Sequence, residues 1–253
     1  MIPLHLEKRV SLQANITEIE EGWRLGLEAN ENRSYRLAQL DNYGRLSRGA
    51  FSYKPPIRIR LKARASQNNL PGTCGFGLWN DPFGFSLGFG PTARRLPVMP
   101  NAAWFFFASQ ENYLAFHNEL PGNGAMASVY RSPHIPALFI AINLPLLPLL
   151  AWAPGARWLR HRIGQFIRQD AKSLTSDQTG WHDYEINWQK HSVIFSVDGK
   201  DVLETKVSPL PPLGLVIWID NQYAAWPPDG RMRYGTLPTP ADSWVEIKKL
   251  RLN

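Results

Sequence analysis

Over residues 57–64 the chain alternates without a break. Ile57, Ile59, Leu61 and Ala63 are apolar, while Arg58, Arg60, Lys62 and Arg64 are basic. A period of two puts these sets on opposite faces of an extended strand and cannot make an apolar stripe on a helix. The apolar set therefore needs a second layer to pack against. The basic row is expected on a solvated outer face, since no aromatic residues interleave with it to stack nucleotide bases. Shorter bursts at 11–16 and 23–29, joined through Glu20-Glu21-Gly22, predict an antiparallel meander. Composition agrees: 10 Trp, 12 Phe and 8 Tyr against only 19 % charged residues suit an aromatic-rich sandwich better than disorder. The 253 residues are enough for one large core, so a single domain over 1–253 is expected.

Further strand-like segments follow in order. They begin with Asp41-Asn42-Tyr43-Gly44-Arg45-Leu46-Ser47-Arg48, the alternating stretch above, and Gly72-Thr73-Cys74-Gly75-Phe76-Gly77-Leu78-Trp79. Next come Trp181-His182-Asp183-Tyr184-Glu185-Ile186-Asn187-Trp188 and Val193-Ile194-Phe195-Ser196-Val197-Asp198-Gly199-Lys200. Leu215-Val216-Ile217-Trp218-Ile219-Asp220-Asn221, Trp226-Pro227-Pro228 and a C-terminal strand from Trp244 to Leu252 complete the series. Together these segments resemble the laminarinase-type glycoside hydrolases of family sixteen, across residues 37–253. The resemblance implies an all-β, concanavalin-A-like jelly-roll sandwich of two antiparallel sheets. It also implies a strand carrying Glu-x-Asp-x-x-Glu, whose alternation sets the acids on one face of a cleft. At that place this chain reads Ala102-Ala103-Trp104-Phe105-Phe106-Phe107-Ala108-Ser109. The scaffold is expected to be kept and the sugar-cleaving chemistry lost.

If the alignment holds, Trp79, Asn80, Trp104, Phe106, Trp218, Tyr223 and Trp226 contribute to an aromatic ligand-binding cleft. Asp81 and Asp220 are the candidate catalytic acids. Asp81 precedes Pro82 and also suits a plain turn. Asp220 ends a very apolar strand, where burial would raise its pKa, although a hydrogen-bonded strand end is an equal reading. No metal or cofactor is expected: the six His show no ligand spacing, one Cys excludes a thiolate cluster, and Gly84-Phe85-Ser86-Leu87-Gly88-Phe89-Gly90 fits no phosphate loop. Cys74, between glycines in a strand, reads as a small buried residue.

Region 133–177 breaks the β pattern and is expected to be an insertion, partly helical. Residues 135–154 carry no charge, but Pro145 and Pro148 argue against a membrane-spanning helix. In the basic amphipathic stretch that follows, Leu159, Ile163, Phe166 and Ile167 share one helical face. Packing on the sandwich edge is one reading. The other is contact with an anionic membrane through Leu146, Leu147, Trp152, Arg157, Trp158, Arg160, Arg162 and Arg168. The first eight residues show no secretory pattern, so a cytoplasmic location is expected, with peripheral attachment to a membrane as the option that the basic stretch adds. Three function classes remain: a non-hydrolytic binder of an apolar or amphipathic small molecule, a carbohydrate-binding module for a glycan, or an enzyme of altered chemistry. Nucleic acid is not an expected partner.

Overall fold

The computed structural model describes residues 5–82, 95, 97–135 and 152–253. The first strands are β1 (Glu7–Val10), β2 (Ala14–Ile19), β3 (Gly22–Leu27), β4 (Leu37–Asp41), β5 (Ile57–Ala65), β6 (Thr73–Trp79), β7 (Ala102–Ala108) and β8 (Gly124–Arg131). Helix α1 (Ala153–Phe166) follows, then β9 (Arg168–Ser173), β10 (His182–Trp188), β11 (Val193–Val197) and β12 (Lys200–Thr205). The chain ends with β13 (Gly214–Asp220), β14 (Gln222–Ala225), β15 (Arg233–Thr236) and β16 (Ser243–Leu252).

Two seven-stranded antiparallel sheets make a jelly-roll-type sandwich. The front sheet is ordered β1-β4-β13-β6-β7-β8-β9 and the back sheet β12-β11-β10-β5-β16-β3-β2, with β14 and β15 as a separate hairpin. Between the sheets lies one continuous core. From the back it takes Ile57, Ile59, Leu61, Tyr184, Ile186, Trp188, Phe195, Val197 and Ile247, and from the front Phe76, Leu78, Phe105, Val129, Leu215 and Ile217.

The alternation over 57–64 does what its period requires. Ile57, Ile59, Leu61 and Ala63 are buried, and the basic row lies on the outer face of the back sheet. There each cation stands beside a carboxylate from a neighbouring strand. Arg58 lies 3.2 Å from Glu185, Lys62 2.7 Å from Asp183 and Arg64 2.7 Å from Glu246, and Arg60 also pairs with Glu185. Three carboxylates thus serve four cations of the row, Arg58 and Arg60 sharing Glu185, so most of its charge is countered within the sheet.

The meander forms with its first strand shifted three residues along the chain from where the sequence implies. Gln13 has φ 59°, so the chain turns there and β2 starts at Ala14. Helix α1 begins with Pro154 in its first turn, where the missing N–H costs nothing, and ends where Ile167 becomes extended. The expected apolar face is only partly right. Leu159 and Ile163 are half-buried and Ile167 is buried, but Phe166 is 57 % exposed. Arg160, expected on the outer side, is 6 % exposed and points inward. Arg168 lies beyond the helix, as the first residue of β9. Leu146, Leu147 and the 84–90 glycine segment fall outside the described residues. Among the described residues, no helix is long and apolar enough to cross a membrane.

Candidate ligand-binding face

Strand alternation decides which side chains of the front sheet face away from the core. On β6 they are Thr73, Gly75, Gly77 and Trp79; on β7, Ala102, Trp104, Phe106 and Ala108; on β8, Met126, Ser128 and Tyr130; on β13, Val216, Trp218 and Asp220. The outward positions of β7 thus hold two aromatics and two alanines.

These residues build a second apolar cluster, joined by Tyr43, Phe51 and Ile167. The indoles of Trp79 and Trp218 stack, with centroids 6.3 Å apart and planes 4° from parallel. Trp104 packs tilted against both, at 5.8 and 5.5 Å, and Phe106 lies 5.2 Å from Trp104. The space for such wide rings comes from β6, where glycines face them. A Cβ on Gly75 would come 2.4 Å from the Phe105 carbonyl oxygen and 2.7 Å from the Trp218 ring, and one on Gly77 would meet the Trp104 Cβ at 2.6 Å. Gly75→Ala should therefore destabilise the fold by about 1–3 kcal/mol. Urea denaturation of the variant checks this, and an unchanged midpoint would mean that the ring cluster yields freely.

The face is covered as well as built. Leu114, Phe116 and Ile163 pack onto it, and Trp104, Phe106 and Trp218 are at most 8 % exposed. Trp79 is half-buried and marks the more open side. Arg160 fastens the cover. Its guanidinium donates to the carbonyls of Trp226 and Ala115 and to Asn118 Oδ1, each at 2.8 Å. Arg160 is thus a clamp between α1 and the 113–118 loop, and the membrane contact expected of it is not available in this arrangement.

The polar atoms of the face fall into two groups. Some are fully engaged: Trp79 Nε1 donates to the Tyr43 hydroxyl at 2.6 Å, and Trp218 Nε1 donates to Thr73 Oγ1 at 3.0 Å. Others are buried and, among the described residues, without a partner: Trp104 Nε1, Gln169 Nε2 and Trp226 Nε1. Ser128 lies opposite Trp104 across the β7–β8 pairing, and Gln169 lies opposite Tyr130, whose ring is 6.0 Å from Trp104. Gln169 is held in place because its Oε1 accepts from the Phe116 N–H at 2.9 Å. Trp226 stands apart from the stacked trio, 6.4 Å from Phe116 and beneath α1. Tyr223 lies on β14, opposite Gly235.

The two candidate acids differ sharply. Asp81 has φ 48°, is ion-paired to the buried Arg95, and gives its carbonyl to Arg48. It is a turn residue fixed by arginines. Asn80 is equally committed, donating to the Met99 carbonyl at 2.9 Å and accepting from Asn101 N at 3.0 Å. Asp220 is buried on the aromatic face itself. Its Oδ1 accepts from Thr73 Oγ1 at 2.9 Å and from the Gln222 N–H at 3.1 Å, which completes a relay from Trp218 through Thr73. Burial pushes its pKa up to about 7, against the lowering effect of those hydrogen bonds. A second buried carboxylate on the same face, Asp41, is paired with Arg9 at 2.8 Å, and burial raises it too. Asp41 sits opposite Val216, four residues from Asp220, or about 13 Å along the strands. Paired glycosidase carboxyls stand about 5–9.5 Å apart. Cys74, on the core side, is buried, and burial raises its thiol pKa. Among the described residues, no three His, Cys, Asp or Glu side chains gather in a metal-binding group.

Sequence reasoning missed Tyr43, Phe51, Met126 and Tyr130. For the last two the signal was present, as period-two spacing on β8. Tyr43 and Phe51 come from the loop after β4, where alternation does not apply.

Comparison with known proteins then bears on this geometry. Residues 161–210 match the family model for glycosyl hydrolases family 16. The match spans the second half of α1 through β12, and includes the Trp181–Trp188 and Val193–Lys200 segments that carry the resemblance in the sequence. No curated protein matches the chain. Among solved structures, the chain is similar to a legume lectin-like domain from Entamoeba histolytica, at 11 % identity and TM-score 0.46, covering 97 % of this chain and 89 % of that one. It is also similar to a Bacteroides ovatus mixed-linkage glucan family 16 protein solved with a G4G4G3G product, at 9 % identity and TM-score 0.49, covering 98 % and 94 %. Identities this low leave the ligands of those proteins their own.

Proposed function

We infer that the chain is a non-hydrolytic binding protein on a glucanase-type sandwich. Its aromatic face would take an amphipathic ligand with flat apolar surfaces and oxygen acceptors, and a glycan is the first such ligand to test. The observation that carries this reading is the set of buried donors without acceptors on a face otherwise made of rings, Trp104 Nε1 and Gln169 Nε2 above all. A buried N–H left unpaired costs about 1–3 kcal/mol, which a ligand oxygen would recover. A wholly apolar ligand, one of the classes expected from sequence, would leave those donors as they are. The family 16 match over 161–210 supports a sugar-bearing ligand. The spacing of Asp41 and Asp220 gives no support to ordinary glycosidic cleavage. Entry would run past half-buried Trp79, or would need the α1 cover to shift.

One observation favours a second reading. Asp220, with a pKa of about 7, is poised to exchange a proton at neutral pH beside several ring faces that would favour a developing cation. That is the arrangement an acid-catalysed isomerisation or cyclisation would need.

Calorimetry and product analysis with laminarin and lichenan oligosaccharides separate these readings. We expect binding without release of reducing ends. Trp104→Phe keeps a ring but removes the donor, and should weaken binding roughly tenfold. Asp220→Asn should bind as the wild type does. Reducing ends whose release stops on substitution of one carboxylate would overturn the non-hydrolytic reading. If wild-type protein ignores glycans but yields an apolar molecule on solvent extraction, the sugar is the wrong ligand.

A further inference from the structure

The outer side of α1 is unlike the rest of the surface. Among the described residues seven large apolar side chains stand exposed, among them Trp152, Trp158, Phe166, Met232 and Tyr234. The first three belong to α1 and its N-cap. The other two follow Gly230, which abuts the first helical turn: a Cβ there would lie 2.6 Å from Arg157 Cγ and 2.7 Å from the Ala153 carbonyl oxygen. Arg231, Met232, Arg233 and Tyr234, which follow, are all exposed.

The charge on the helix has one sign. Helix α1 contains no Asp or Glu, and its outer side carries Arg157 and Arg162. With Arg231 and Arg233 these make four exposed arginines, none in an ion pair among the described residues. The basic row of the back sheet offers a contrast within the same molecule, since there every cation is ion-paired, Arg58 and Arg60 sharing Glu185. Asp229 is the nearby acid, and it accepts from the Arg231 backbone N–H at 2.9 Å. Arg162 lies over the Trp158 ring at 5.6 Å, so cation and ring present together.

We propose that this patch docks the protein on an anionic lipid surface, with the aromatic rings entering the headgroup layer and the arginines meeting lipid phosphates and carboxylates. Tryptophan and arginine side chains of a surface helix suit that boundary, where an apolar body and a polar or charged tip are both satisfied. Unpaired arginines are drawn to the negative surface, and salt weakens that attraction. The inference is independent of what the aromatic face of the front sheet binds. Docking through the outer side of α1 would place its inner side, and the cover it forms, next to the bilayer.

Co-sedimentation of the full chain with vesicles tests it, using mixed phosphatidylserine–phosphatidylcholine and pure phosphatidylcholine at low salt. Binding is expected to the mixed vesicles only. Arg157→Gln with Arg162→Gln should lower partition roughly twentyfold. Trp158→Ser with Phe166→Ser should lower it on the order of tenfold. Both pairs are surface changes, and thermal unfolding checks that they fold. Trp104→Phe, in the aromatic face, should bind vesicles as the wild type does, so failure there is read separately from failure here. Wild-type protein that ignores the mixed vesicles overturns the proposal, as does full binding by both double variants. A dimer in lipid-free solution that Trp158→Ser with Phe166→Ser dissociates would assign the patch to a second copy of the chain, and would equally overturn it.

Discussion

Arg160→Met should destabilise the protein by about 3 kcal/mol or more, a large share of the margin by which a domain stays folded. Methionine keeps the unbranched stem, so packing loss is small. The charge and five donors go, and the Trp226 and Ala115 carbonyls and Asn118 Oδ1 lose their 2.8 Å partners in a site where Arg160 itself is only 6 % exposed. Buried acceptors stripped of a charged donor are among the costlier defects in a protein interior. The loss should be local as well as global. Amide exchange in α1 and the 113–118 loop should accelerate more than in β5 or β16, because the clamp joins those two pieces and not the sandwich. Uniform loss of protection across both sheets would show that the helix is integral to the core rather than fastened on top of it.

Asp220→Asn should act in the opposite direction. In the folded protein burial holds the Asp220 pKa at about 7, against an ordinary 3.8. The native state therefore binds this proton more tightly than the unfolded chain does. Stability from this group is complete below about pH 4, falls as pH rises through about 7, and is flat beyond. Asparagine removes the ionisation and keeps an oxygen for the Thr73 hydroxyl and the Gln222 N–H. The variant should be similar to wild type near pH 4 and more stable above pH 8, by on the order of 3 kcal/mol. Chemical denaturation at a series of pH values reads the difference directly. Parallel curves for the two proteins from pH 4 to 8 would mean that Asp220 titrates as an ordinary surface carboxylate.

The fold was legible where one side of an element meets water. The 57–64 alternation assigned each side chain of β5 to its face, and Trp188, Phe195, Val197 and Ile247 lie in the core as the strand pattern implies. Legibility fails where both sides are covered. Every residue of β13 is buried, so period two leaves no mark on its sequence and gives no hint of which rings share a face. Trp79, Trp104, Phe106 and Trp218 do come together as the family resemblance implied, but Trp226 does not join them. On α1 the pattern misled for a definite reason. A helical wheel sorts residues by polarity, whereas Arg160 is inside because three acceptors from other parts of the chain converge there. Phe166 is outside because the helix ends at that point. Nor does any sequence pattern signal a donor such as Trp104 Nε1, which has no acceptor among the described residues.

The strand orders also bear on the making of the protein. In the back sheet β16 is an interior strand, paired with β3 on one side and β5 on the other, and in the front sheet β13 separates β4 from β6. Both seams are thus closed by segments synthesised well after the strands they join. Until then β3 and β5, and likewise β4 and β6, have no strand between them and present open edges carrying the apolar residues of the future core. Pairings this distant in sequence form slowly, and exposed edges of this kind are where chains adhere to one another. For this chain the hazard lies in the interval of synthesis, and it ends only when residues 243–252 slot between strands made long before them.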